Sequence, residues 1–80
     1  MKLYVITESI PYETYQQFLD VDTCQVKLQN RLAFLMKDSV ESGDRPMPET
    51  ELALWEKDMV ANKMKIIRSW EWRENKWNKM

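Results

Sequence analysis

Three of the four tryptophans in this 80-residue chain fall within one stretch near its end, Met64-Lys-Ile-Ile-Arg-Ser-Trp-Glu-Trp-Arg-Glu-Asn-Lys-Trp77, whose conformation decides what the rest can become. As a strand, its even positions place Met64, Ile66, Trp70 and Trp72 on one face, interrupted by Arg68. Lys65, Ser69, Glu71, Arg73 and Asn75 occupy the other, interrupted by Ile67 and Trp77. As a helix, Ile66, Trp70, Arg73 and Trp77 recur at i, i+4, i+7 and i+11, and no Gly or Pro follows Pro48 to stop it. The strand is preferred for a reason outside the segment. The N-terminus offers only two strands, and a lone hairpin is marginal in water without a third strand or a packed helix.

A chain of this length forms one domain, residues 1–80, and buries only about 60% of its unfolded surface, so large side chains must supply its stability. Four Trp, three Tyr, two Phe and six Met meet that need. The single cysteine, Cys24, cannot close an internal disulfide, and no basic-then-apolar leader precedes the first strand, which points to the cytoplasm. No apolar run approaches the roughly 18 residues that cross a bilayer, so no membrane partner is expected. The net charge of −1 is unevenly spread: residues 1–60 hold six Lys/Arg against eleven Asp/Glu, and residues 61–80 hold six against two. Neutralisation within the chain accounts for this asymmetry; between copies it would favour head-to-tail association.

Lys2 to Glu8 alternates as a strand that is apolar on both faces, with Leu3, Val5 and Thr7 against Tyr4, Ile6 and Glu8. Pro11 ends it in a hairpin loop, and Glu13 to Val21 returns as a more polar edge strand, with Tyr15, Leu19 and Val21 on one face. Asp22 and Gln25 have the spacing of a capping box, which predicts a helix from about Thr23 to Glu41. Cys24, Leu28, Leu32, Leu35 and Met36 form its buried stripe, Val26, Ala33 and Val40 widen it, and Phe34 stands on the polar side. Gly43 suits the helix C-cap. Pro48, followed by Glu49 and Glu51, reads as the first turn of a second helix reaching about Asn62, with Leu52, Trp55 and Met59 buried. The expected fold is therefore α+β, a small antiparallel or mixed three-stranded sheet with two helices on one face, in the order β-β-α-α-β, its other face open.

The absent residues are as informative. Without histidine, the commonest general base, the Ser-His and Cys-His pairs and the usual metal ligand are all missing. One cysteine makes no zinc cluster, and one glycine makes no phosphate-cradling loop. Glu8 and Glu13 could face each other across the hairpin, but paired acids at strand ends are usually solvated. Asp20-Val-Asp22 lacks the glycine and distal glutamate of a calcium loop. No metal, cofactor or catalytic residue is expected. What remains is the terminal stretch, where Arg68, Arg73, Lys76 and Lys79 interleave with tryptophans. Such a mixture serves protein hot spots and also single-stranded nucleic acid. Nucleic acid takes second place, because Glu71 and Glu74 dilute the charge and the chain's pI is about 5.4.

In element order, Leu3 to Glu8, Glu13 to Val21, Thr23 to Glu41 and Trp70-Glu-Trp72, the chain resembles small accessory proteins of bacteriophages, which pair an N-terminal hairpin with one or two helices and a terminal strand. That resemblance implies a binding protein that blocks a host protein or defence complex by occupying its surface, often as a homodimer. The expectation is a non-enzymatic, cytoplasmic interaction protein. Trp77, Arg73, Lys76 and Phe34 are its candidate partner-binding residues. The alternatives are a small nucleic-acid-binding protein and an assembly subunit active only as an oligomer.

Overall fold

The computed structural model describes residues 1–12 and 16–80. Within them the order is β1 (Lys2–Ser9), β2 (Gln17–Asp22), α1 (Gln25–Glu41), β3 (Glu51–Asp58), β4 (Lys63–Arg73) and β5 (Lys76–Lys79). The strands form one antiparallel five-stranded sheet in the order β2-β1-β3-β4-β5. This corrects the expected three-stranded sheet with two helices. Five strands are present with a single helix among the described residues, and the order is β-β-α-β-β-β. Both β2 and β3 run antiparallel to β1 and flank it, so they are parallel to each other, and α1 is the crossover that joins them. The helix packs on β1, β2 and β3, and β4 and β5 extend beyond it.

The second helix fails at its first residues. Pro48 and Glu49 are the centre of a turn in which the Thr50 N–H donates to the Met47 carbonyl at 3.1 Å. Glu49 has φ of 73°, the left-handed value that a type II turn needs after its proline. Leu52, Ala53 and Leu54 then lie buried in succession, as in a strand covered on both faces. Double-sided burial overrides the helix preference of Glu, Leu and Ala in this segment. β3 pairs with β1 from Lys2↔Asp58 to Ser9↔Glu51, and with β4 along its other edge.

The remaining elements follow the sequence more closely. β1 extends one residue past the expected Glu8, and the stretch Met64–Trp77 is strand, divided between β4 and β5. α1 starts at Gln25 rather than Thr23, without the capping box: the Asp22 carboxylate accepts the Cys24 N–H at 2.8 Å, and the N-cap is Cys24, which has no side-chain cap. Gly43, at φ of 83°, takes the left-handed position just past the helix. Of the strand expected over 13–21, residues 13–15, and with them Glu13 and Tyr15, lie outside the described residues; Gln17–Asp22 is observed. Glu74 and Asn75, at φ of 56° and 62°, turn the chain back as β5, in the conformation that two-residue hairpins favour.

Two bulges set the faces of the sheet. Opposite Ile6 and Thr7, strand β2 offers Asp20 and then Phe18, with Leu19 as the extra residue. Opposite Leu54 and Trp55, strand β4 offers Arg68 and then Ile66, with Ile67 extra. Each bulge delivers an apolar side chain, Leu19 or Ile67, against the core of Ile6, Leu28, Leu32, Leu52 and Leu54. Each also reverses the alternation beyond it. Met64 and Ile66 therefore face away from Trp70 and Trp72, where unbroken alternation had placed all four together.

Leu32, 2% exposed at the centre of the helix–sheet contact, sets the scale of the core. Leu32→Ala is expected to lower unfolding free energy by about 2 to 5 kcal/mol, and Phe34→Ala, on the solvent side of α1, by under about 1 kcal/mol, as read by urea titration.

Candidate functional site

Residues directly paired across an antiparallel sheet share a face, so the registers draw both faces row by row. On the face away from α1, one row runs Val21, Val5, Trp55, Ile66 across β2, β1, β3 and β4. Beside it, Phe18, Thr7, Ala53 and Ser69 form a second row, and Leu3, Lys57 and Met64 a third. A fourth row, Ser9, Glu51, Glu71 and Asn78, closes the far end. No described element covers this face. Phe18, Val21 and Ile66 stay 64%, 49% and 46% exposed, whereas Val5, Thr7 and Ala53 at the centre are buried. Trp55 explains part of that burial, since its indole N–H reaches across to donate to the Thr7 hydroxyl oxygen at 2.8 Å.

On the other face the helix stops short of the sheet's width. Between α1 and β4 lies a cleft of about 260 Å³, lined by Gln29, Leu32, Ala33, Met36, Leu54, Arg68 and Trp70. At 100° per residue, Val26, Gln29, Ala33, Met36 and Val40 form one flank of the helix, and that flank overlooks the cleft. These positions alternate by three and four, the a/d spacing of a helix that packs beside another helix. Val26 and Val40 remain 61% and 48% exposed on it. The floor beyond is basic: Trp70 pairs with Lys79, next to Arg68, and among the described residues neither cation makes an ion pair.

The four residues singled out from the sequence do not come together. Phe34 lies exposed on α1 with the Arg31 guanidinium 5.5 Å from its ring centre. Arg73 and Lys76 pair across the β4–β5 turn on the face away from α1, with Arg73 also bridged to Glu71. Trp77 is on the helix side, half-buried against the core, its ring edge-on to buried Trp72 at 5.3 Å. Trp77, a candidate partner contact in the sequence, is thus part of the packing. Its indole N–H is buried without a hydrogen-bond partner in the structure. The sequence leads to an open sheet face, but not to its rows or to the helix flank. The widened stripe Val26, Ala33, Val40 was the available signal for the flank, and the bulges hid the rows.

Charge balances mostly within the sheet. Lys65 and Lys63 of the basic end stand opposite Glu56 and Asp58, and Lys2 bridges Glu56 at 3.0 Å. The Asp58 carboxylate is held below its ordinary pKa because it accepts the Ala61 and Val60 N–H groups of the β3–β4 loop. Burial pushes the Glu8 carboxyl up. Among the described residues, no group of three or more His, Cys, Asp or Glu could hold a metal, and no helix is long and apolar enough to cross a membrane. Asp20 is engaged by Arg31 at 4.0 Å, and Cys24 is half-buried at the helix start.

Two outcomes follow from these placements. Trp77→Ala should cost about 3 kcal/mol in unfolding free energy, and Trp77→Phe about half as much, because losing the unpaired N–H offsets part of the lost ring. For Glu8, a folded-state pKa above the unfolded one means that its contribution to stability is full below the ordinary carboxylate pKa and is lost as pH rises through the folded value. Glu8→Gln should therefore raise the thermal midpoint at neutral pH and leave it unchanged near about pH 3. Comparison with protein-family models, with curated proteins and with solved structures finds no match.

Proposed function

We propose that this protein is a non-enzymatic, cytoplasmic binding protein that receives an acidic amphipathic helix of a partner protein in the cleft between α1 and β4. The observation that carries this reading is the helix flank Val26, Gln29, Ala33, Met36, Val40, apolar at four of its five a/d positions and facing an open floor. Five strands about 4.8 Å apart span roughly 19 Å, whereas one helix covers about 10 Å, so a second helix fits over β4 and β5. Arg68 and Lys79 on that floor select for acidic residues along its edge. A host or defence protein blocked by surface occupation, as the resemblance to phage accessory proteins implies, is one class of partner within this reading.

The nucleic-acid reading needs cations and stacking aromatics on one accessible face. Arg73 and Lys76 lie on the face opposite the tryptophans of β4 and β5. Arg68 and Lys79 do lie beside Trp70, but Trp70 and Trp77 pack against the core and Trp72 is buried against Trp77, which leaves no free ring there for a base to stack on. That arrangement favours the protein partner.

A photo-crosslinking residue placed at Ala33 should join the protein, in lysate of its native host, to an acidic helical segment that mass spectrometry identifies. The same residue at Asn30, on the solvent side, should not. Ala33→Arg and Arg68→Glu should abolish the crosslinked product while leaving the thermal midpoint within a few degrees of the parent. Equal capture by these variants would sink the cleft as the site. Tight binding of a single-stranded oligonucleotide, falling with log salt at about −0.7 per phosphate, would put nucleic acid in its place.

A further inference from the structure

We propose that the uncovered face of the sheet is a dimer interface, on which a second copy of this chain packs through a two-fold axis at the level of Leu54. The inference is independent of the cleft beside α1, which opens on the other side of the sheet. It begins with β3, the middle strand of the five, which presents Glu51, Ala53, Trp55 and Lys57 to the uncovered face: an acid, a small residue, a large residue and a base. Read backwards, the order is base, large, small, acid. A two-fold axis in the plane between two such faces, running across the strands, stacks each strand over its own copy in the opposite direction. It sets Glu51 over the partner's Lys57 and Ala53 over the partner's Trp55, and repeats both contacts with the copies exchanged.

The neighbouring strands obey the same relation. Level with Leu54 are Ile6 on β1, Asp20 on β2 and Arg68 on β4, all on the helix side. Around that level, Ser69 falls over the partner's Ile66 and Thr7 over the partner's Val5. The apolar ground that meets its own copy is Phe18, Val21 and Ile66, which are exposed, together with Trp55 lying across Thr7; Val5, Thr7 and Ala53 beneath are already buried. Facing sheets pack about 10 Å apart, and the central strands stay aligned under the usual offset of about 30°.

Charge and area agree with this occupant. Glu51 stands beside Glu71 in its row, and Glu71 already has Arg73, so a cation from outside relieves the pair of like charges. Lys57 sits between Leu3 and Met64, with no ion pair among the described residues. With five strands about 4.8 Å apart and eight residues in β3 at about 3.4 Å each, the face measures about 500 Å². Because Val5, Thr7 and Ala53 are already buried, two copies bury less than about 1,000 Å², the size of a weak, reversible dimer.

Sedimentation equilibrium of the full chain, from low micromolar to several hundred micromolar, tests the proposal directly. A dimer is expected. Lys57→Glu should raise its dissociation constant about tenfold or more, because it opposes carboxylates to carboxylates, and Glu51→Lys should do the same with cations. Combining Lys57→Glu with Glu51→Lys exchanges the two ends of β3 and should restore the parental dissociation constant. Circular dichroism melting of each variant separates loss of association from loss of fold. A parent protein that stays monomeric throughout the range overturns the proposal. So does a dimer indifferent to Lys57→Glu, or a double variant no better than the single ones.

Discussion

The pairing of β1 with β3 is the interaction on which the rest of the molecule depends. It joins the first strand of the chain to one that begins after the helix, over eight register positions from Lys2↔Asp58 to Ser9↔Glu51. Ile6 and Leu54, directly opposed, are both fully buried under α1, and Val5 and Ala53 are buried on the other side. The helix has a floor only because these strands lie side by side. The hairpin of β4 and β5 in turn has something to extend only because β3 is already held. Removing that contact would leave the β1–β2 hairpin, the helix and the β3–β4–β5 meander, with the shared core of Ile6, Leu28, Leu32, Leu52 and Leu54 split between them.

Much of this architecture was legible in the sequence, and what was not has definite causes. β1 and α1 carry clear periodicities, with Pro11 and Gly43 beyond their ends, and each is found close to where its pattern puts it, whereas the strand from Met64 was preferred only because a hairpin alone is marginal. Glu51–Asp58 was misread because Leu52, Trp55 and Met59 recur at helical spacing and because Glu, Leu and Ala favour helices. A strand buried on both faces has no alternation to betray it. Pro48 contributed to the error. A proline can open a helix or a type II turn, and the left-handed residue that distinguishes them here is Glu49, where glycine would have announced it.

The candidate surfaces were less legible than the fold, for a related reason. Period-two reading places Met64 and Ile66 with Trp70 and Trp72, but the extra residue Ile67 reverses the phase between them. One bulge thereby moves two large side chains from the core side to the uncovered side, and the bulge at Leu19 does the same for the phase of Phe18 on β2. Aromatic density is greatest in β4 and β5. Trp72 and Trp77 sit edge to face and against the core, while the residues left exposed in rows are mostly aliphatic and spread over four strands. The basic end of the chain likewise spends Lys63 and Lys65 opposite Asp58 and Glu56 and Arg73 on Glu71, which leaves Arg68, Lys76 and Lys79 with neither an opposed acid nor an ion pair among the described residues.

The crossover of α1 over β1 also sets an order of events at the ribosome. β1 is synthesised first, yet its inner edge has no partner until β3 emerges. At a translation rate of about 5–20 residues per second, Ile6 waits about 2 to 10 s for Leu54. Throughout that interval the nascent chain holds a hairpin and an amphipathic helix with one unpaired, apolar strand edge, a substrate for chaperones rather than a folded intermediate. A message truncated anywhere before β3 would accordingly yield no stable fragment.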